Sequence, residues 1–240
     1  MKRIAIFVFL SLCILPKPLP AADTGSLLQR AGEYGQEVSR IEASGKTASL
    51  EKLLKQGDKL AAELRPVIEQ LSNADYASVE KNMKGYVVNR EEVILLNPDT
   101  RFFSKLAGTI GTEHDRLYFN FILKVMPEGY WPVYIMRQTD VGGCIDFGTG
   151  ALSTLYKEGI QLSPKLAGYY RQQLDMTLED IADQLTTGEC ACGNITSVKK
   201  ELETFLETNP KTPISDRARA RLHAIQQGRH TIRENCIGGT

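Results

Sequence analysis

Two cysteines one residue apart, Cys190 and Cys192, are accompanied by two distant singles, Cys144 and Cys236. A bridge between Cys190 and Cys192 would close a ring too small for ordinary disulfide geometry. If all four are oxidised, Cys144 and Cys236 each pair with one member of the Cys190-Ala191-Cys192 turn, and the spacing leaves both assignments open. Either one staples the middle of the chain and its C-terminal tail to a single turn, with about 2–4 kcal/mol from each bridge. Zinc is the competing use of four thiolates. Structural zinc sites usually offer two Cys-x-x-Cys pairs, whereas this chain has one Cys-x-Cys and two singles, so no metal is expected. Cys144 acting as a nucleophile with His114 finds no support in the spacing.

Oxidation requires export, and the N-terminus predicts it. Met1-Lys2-Arg3 is a short positive stretch, Ile4 to Leu15 is an uncharged apolar run, and Pro16 to Ala22 combines helix-breaking prolines with small alanines. This is the layout of a signal peptide, too short to span a bilayer core, which needs roughly 20 apolar residues. Cys13 follows Leu12 rather than a small residue, which argues against lipidation. Residues 1–22 carry Lys2, Arg3 and Lys17 and no acid, so their removal leaves 26 basic side chains against 29 acidic. A balance near −3 excludes a phosphate-seeking surface and hence nucleic acid as a partner. The compact leader looks bacterial, and the mature chain is expected in the periplasm or the medium with no stable membrane span.

The rest of the chain reads as helices. Leu27, Ala31, Tyr34, Val38 and Ile41 step by three and four, with Ser26 to Gln29 as a candidate capping box. Leu50, Leu53, Gly57, Leu60, Leu64, Val67 and Leu71 form a second stripe, predicted as one long helix bent at Pro66. Together they predict an antiparallel hairpin over residues 23–72, with residues 73–240 as the main helical domain. The hairpin's seam is most simply internal packing, though it also offers a surface for a homodimer. Ser72 opens a short helix. Tyr86 to Leu96 is ambiguous, strand-like at Tyr-Val-Val and Val-Ile-Leu-Leu, with Asn-Arg-Glu-Glu between them favouring helix. Asp99-Thr100 leads into a further helix, and Thr112 with Asp115 caps a strong one. Helices resume at Leu152–Tyr156, Pro164–Leu174 and, behind a Thr177-x-x-Asp180 cap, Leu178–Leu185. Val198 to Leu206 and Ile214 to Ile225 mark the last two, with Pro213 at a first helical position. The pattern Phe205-Leu206, Asn209-Pro210, Ala218, Leu222 resembles a single tetratricopeptide-like hand-over. No second copy follows at that period, so no family is assigned. The fold class is therefore all-α or mainly α, a helical array with one Gly-rich excursion and two disulfides.

No phosphate loop, dinucleotide fingerprint, His-Glu-x-x-His or Gly-x-Ser-x-Gly is present, and no cofactor is expected. His114 sits in helix-start chemistry, and His223 and His230 share a face only if a helix runs through Gly228. Residues 130–150 are the best site candidate. Trp131 and Tyr134 supply aromatic platforms, and Arg137, Asp140 and Asp146 lie among glycines. Carboxylates beside aromatic rings suit sugar, and Glu113, Asp140 and Asp146 are the acids from which a glycosidase pair could be drawn. The simpler reading is a structural loop pinned by Cys144, its acids bonded to turn amides. The function expected from this sequence is non-enzymatic: binding of a protein or cell-envelope partner, as an adaptor, inhibitor or immunity-type protein. The alternative is a cell-wall-directed glycoside hydrolase.

Overall fold

The computed structural model describes residues 24–91, 93–139 and 142–236. Residues 1–22, expected from sequence to be a leader, and Asp140 lie outside the described residues. The fold is mainly α. Helices α1 (Thr24–Ser44), α2 (Glu51–Leu64) and α3 (Asn73–Asn82) precede a hairpin of β1 (Tyr86–Asn89) and β2 (Leu95–Pro98). Then come α4 (Thr100–Ile110), α5 (Glu113–Val125), β3 (Ile135–Arg137) and β4 (Gly143–Ile145). The chain continues through α6 (Ala151–Leu162), α7 (Gly168–Thr187), β5 (Cys190–Ala191), α8 (Ile195–Thr208), α9 (Ser215–Gln226) and β6 (Arg233–Glu234). One contiguous apolar cluster runs from Leu27 to Ile225 and includes residues of every α-helix. The stripe of α1 (Leu27, Ala31, Tyr34, Val38) is buried within it, so the N-terminal seam packs inside a single chain.

Several sequence expectations are corrected. The second stripe is not one bent helix. Pro66 follows the α2 C-cap Arg65, and the chain passes into a short 3-10 turn at Ile68–Gln70, because proline cannot donate the next helical bond. Tyr86–Leu96 is an antiparallel hairpin, with Tyr86 opposite Pro98 and Asn89 opposite Leu95. Asn89 makes its turn: its side-chain amide donates to Val93 O at 2.9 Å and its carbonyl accepts from Glu91 N at 3.3 Å. Arg90 and Glu91, two of the residues that suggested helix, lie between the strands. Thr177 is no cap. It lies inside α7, donating to Gln173 O at 2.9 Å, and Tyr170, Leu174, Leu178, Ile181 and Leu185 form one unbroken stripe. Ser26 likewise lies inside α1, and α9 begins at Ser215, two residues after Pro213. Because α9 ends at Gln226, His223 and His230 share no helix face.

The Gly-rich excursion becomes a small mixed sheet of order β3-β4-β5-β6, antiparallel between β3 and β4 and parallel thereafter. Its last two strands are only two residues long. Covalent bonds do what ladder length cannot: Cys144 pairs with Cys192, and Cys190 with Cys236, at Cα separations of 4.9 and 5.6 Å. All four sulfurs are thereby used.

Three helices lack a capping side chain at their own N-cap residue and are closed by acids from elsewhere in the fold. Gly150 opens α6 at φ 78°, and the fully buried Glu201 of α8 takes its orphan donors. Glu201 accepts from Gly148 N (3.0 Å), Gly150 N (2.8 Å), Ser153 N (3.1 Å) and Ser153 Oγ (2.8 Å). The other two helices belong to a closed ring. Asp115 on α5, fully buried, accepts from Leu50 N at the start of α2 (3.0 Å) and from Tyr170 Oη of α7 (2.5 Å), besides closing its own capping box with Thr112. Glu51 on α2 accepts from Tyr169 N in the first turn of α7. The N-termini of α2, α5 and α7 therefore converge, and two carboxylates offset three positive helix ends.

Candidate functional site

The three helices that start at this ring line one cleft of about 450 Å³. Leu54, Asp58, Ala61 and Arg65 recur at helical spacing on α2, Tyr118, Ile122 and Met126 do so on α5, and Tyr169, Gln173 and Met176 on α7. Strand β2 covers a further side with Leu96 to Pro98. The exposed wall surface is mainly apolar, polar side chains such as Asp58, Tyr169 and Gln173 are spread among the apolar ones, and the volume suits a small organic ligand or a large side chain. Met176, 62 % exposed, stands at the mouth.

Asp58 is the cleft's carboxylate. Tyr169 Oη donates to its Oδ2 at 2.7 Å. Tyr86 Oη lies 2.7 Å from Oδ1 and 3.1 Å from Leu54 O, and its single proton goes to the nearer, charged acceptor. Burial lifts the Asp58 carboxyl above its ordinary 3.8, against the opposing pull of both phenols and of Arg65. Burial first, and then the Asp58 charge, raises the phenols of Tyr86, Tyr118 and Tyr169, so these rings stay neutral at any physiological pH. Arg65 does not form an ion pair with Asp58. Its Nη2 donates to Leu96 O at 3.1 Å and approaches Asn97 Oδ1 at 3.4 Å, at the rim.

Glycine makes this arrangement possible. A Cβ at Gly57 would lie 2.5 Å from the Tyr86 ring, so only glycine lets that ring cross α2 and reach Asp58. In the sequence Gly57 stands where an apolar stripe residue is expected, and that gap was the one local signal of the site. Asp58 lies in the sequence between Lys55 and Lys59, among charged residues that pattern as a solvated helix face, and nothing local links it to Tyr86 or Tyr169.

The residues singled out from sequence lie elsewhere. Tyr134 is 1 % exposed, and its hydroxyl donates to Asp180, so it is a core residue with a tethered tip. Trp131 is half-buried, Arg137 is exposed on β3, and Asp146 is half-buried just after β4. The main chain of Asp146 donates to Tyr134 O at 2.9 Å, and Val133 N donates to Val125 O at 2.8 Å. This region therefore sits at the C-terminal end of α5. Glu113 is the first residue of that helix, so it lies about 18 Å of helical rise away. The amides of Gly148 and Gly150 donate to Glu201 as part of the α6 cap, so in this loop the turn amides bond an acid of α8.

A second cleft, between α1 and α2, contains the Arg30–Glu63 ion pair and is lined mainly by charged side chains that water solvates well. Among the described residues no helix is long and apolar enough to cross a membrane. No family model, no curated protein and no solved structure matches this chain.

Proposed function

We propose that this is an exported, non-enzymatic binding protein, and that the cleft between α2, α5 and α7 takes up an apolar group from a protein or cell-envelope partner. The observation that carries the reading is the cleft itself: preformed, apolar-walled, with a single oriented carboxylate. Its two threonine hydroxyls support binding over catalysis. Thr100 Oγ1 donates to Met126 O at 2.6 Å and Thr177 Oγ1 to Gln173 O, so neither is paired with a base. The signal-type leader and the two disulfides support export to an oxidising compartment, the periplasm or the medium.

Photocrosslinking from the mature, oxidised protein tests this. A photoreactive residue at position 176, at the mouth, is compared with one at position 219 on the exposed side of α9. The expected result is a saturable adduct from 176 alone in an envelope extract, lost when Thr177→Phe narrows the cleft. Equal labelling from 219, or an adduct that survives the narrowed cleft, overturns the assignment.

A further inference from the structure

The binding reading leaves the chemistry of the occupant open, and the following inference rests on it. We propose that the group entering the cleft is cationic: an alkylammonium whose nitrogen meets the Asp58 carboxylate and whose carbon chain lies along Ile122, Met126 and Met176.

Charge complementarity carries this. Asp58 is the one acid in the cleft lining, and the only lining cation, Arg65, is engaged by Leu96 O and Asn97 at the rim. A half-buried carboxylate without a counter-ion is costly, and burial outweighs the help it receives from Tyr86, Tyr169 and Arg65. An ammonium arriving at Asp58 would relieve that cost. It would also meet rings already suited to cations. Tyr169 has the Lys55 ammonium 5.9 Å from its centroid, and Tyr118 borders the cleft beside it. The two phenols that donate to Asp58 hold its oxygens in place and remain neutral, so they fix the acceptor without cancelling its charge. The apolar walls then favour an ammonium carried on a hydrocarbon over a small hydrated cation, which would lose its water without compensation. An anionic or neutral occupant would leave Asp58 buried and unmatched.

The test compares n-octylammonium with 1-octanol, which has the same chain and no charge, by calorimetric titration of the mature oxidised protein at pH 7. Octylammonium is expected to bind at least about tenfold more tightly than octanol. Asp58→Asn should abolish that preference and leave octanol affinity unchanged. Met176→Lys, at an exposed position, should weaken octylammonium by more than it weakens octanol, since both chains lie along this side chain and only one carries a like charge. Equal affinities in the wild type, or a preference that survives Asp58→Asn, overturn the cationic occupant while leaving an apolar cleft in place. Failure of both ligands to bind overturns the cleft as a binding site, and with it the proposed function.

Discussion

Ser153 and Glu201, 48 residues apart in sequence, are joined twice: the serine amide and hydroxyl both donate to the same buried carboxylate oxygen, at 3.1 and 2.8 Å. The same side chain accepts from Gly148 and Gly150. Glu201→Ala would strip four donors of their acceptor in a dry site. The expected loss is roughly 3 kcal/mol or more in urea unfolding, with Glu201→Gln costing less because one acceptor oxygen remains.

Asp58 should behave in the opposite way. Its carboxyl is raised in the folded state, so the ionised form disfavours folding, fully so at pH values above its folded pKa. That penalty disappears as pH falls through the folded value toward 3.8. Asp58→Asn is therefore expected to melt higher than wild type at pH 7, with the difference closing as the scan is repeated in acid. A lower melting temperature at pH 7 would show Asp58 to be a structural acid like Glu201.

Gly57→Ala places a methyl group 2.5 Å from the Tyr86 ring. The ring must then withdraw, which breaks its bond to Asp58 and its edge-to-face contact with Phe103. About 2 kcal/mol of destabilisation is expected by thermal unfolding, although alanine is the better helix former by roughly 1 kcal/mol.

Cys190→Ser with Cys236→Ser removes the bridge to the tail, at a cost of about 2–4 kcal/mol. Hydrogen exchange locates the effect. Amides of Arg233 and Glu234 should lose protection, while Cys144, still bonded to Cys192 and paired with Met136, should keep it.

The sequence made helices legible wherever signals were local. The Thr112–Asp115 capping box and the helix starts after Ser72 and Asp99 fall where expected, whereas Ser26 and Thr177, which show the same four-residue pattern, lie inside α1 and α7. Asp115 was legible as a cap for its own helix but not as the acceptor for Leu50 and Tyr170, 65 and 55 residues away. Glu51 and Glu201 were invisible for the same reason, since an acid that caps another element looks locally like any surface acid. Tyr86–Leu96 stayed open between strand and helix, because Asn89, whose side-chain amide bonds Val93 across the hairpin, reads locally like any polar helix residue. The cleft was missed because its members lie on five elements, and Gly57, the single local clue, carries no side chain to interpret. The disulfide partners could be narrowed by ring size but not chosen, since only the strand order tells Cys144 from Cys236.

The ring formed by Asp115, Glu51, Tyr169 and Tyr170 also governs how the molecule can move. Each of α2, α5 and α7 is fastened to the other two at its first turn, so no pair can slide apart without breaking a bond to the third. The only inexpensive motion left to the walls is to fan outward from that common root, as fingers do from a palm. An occupant entering past Met176 would therefore be gripped by a closing hand, deep contacts nearly fixed and outer ones adjustable. Such a pocket should be strict about the group that reaches Asp58 and lenient about whatever trails behind it.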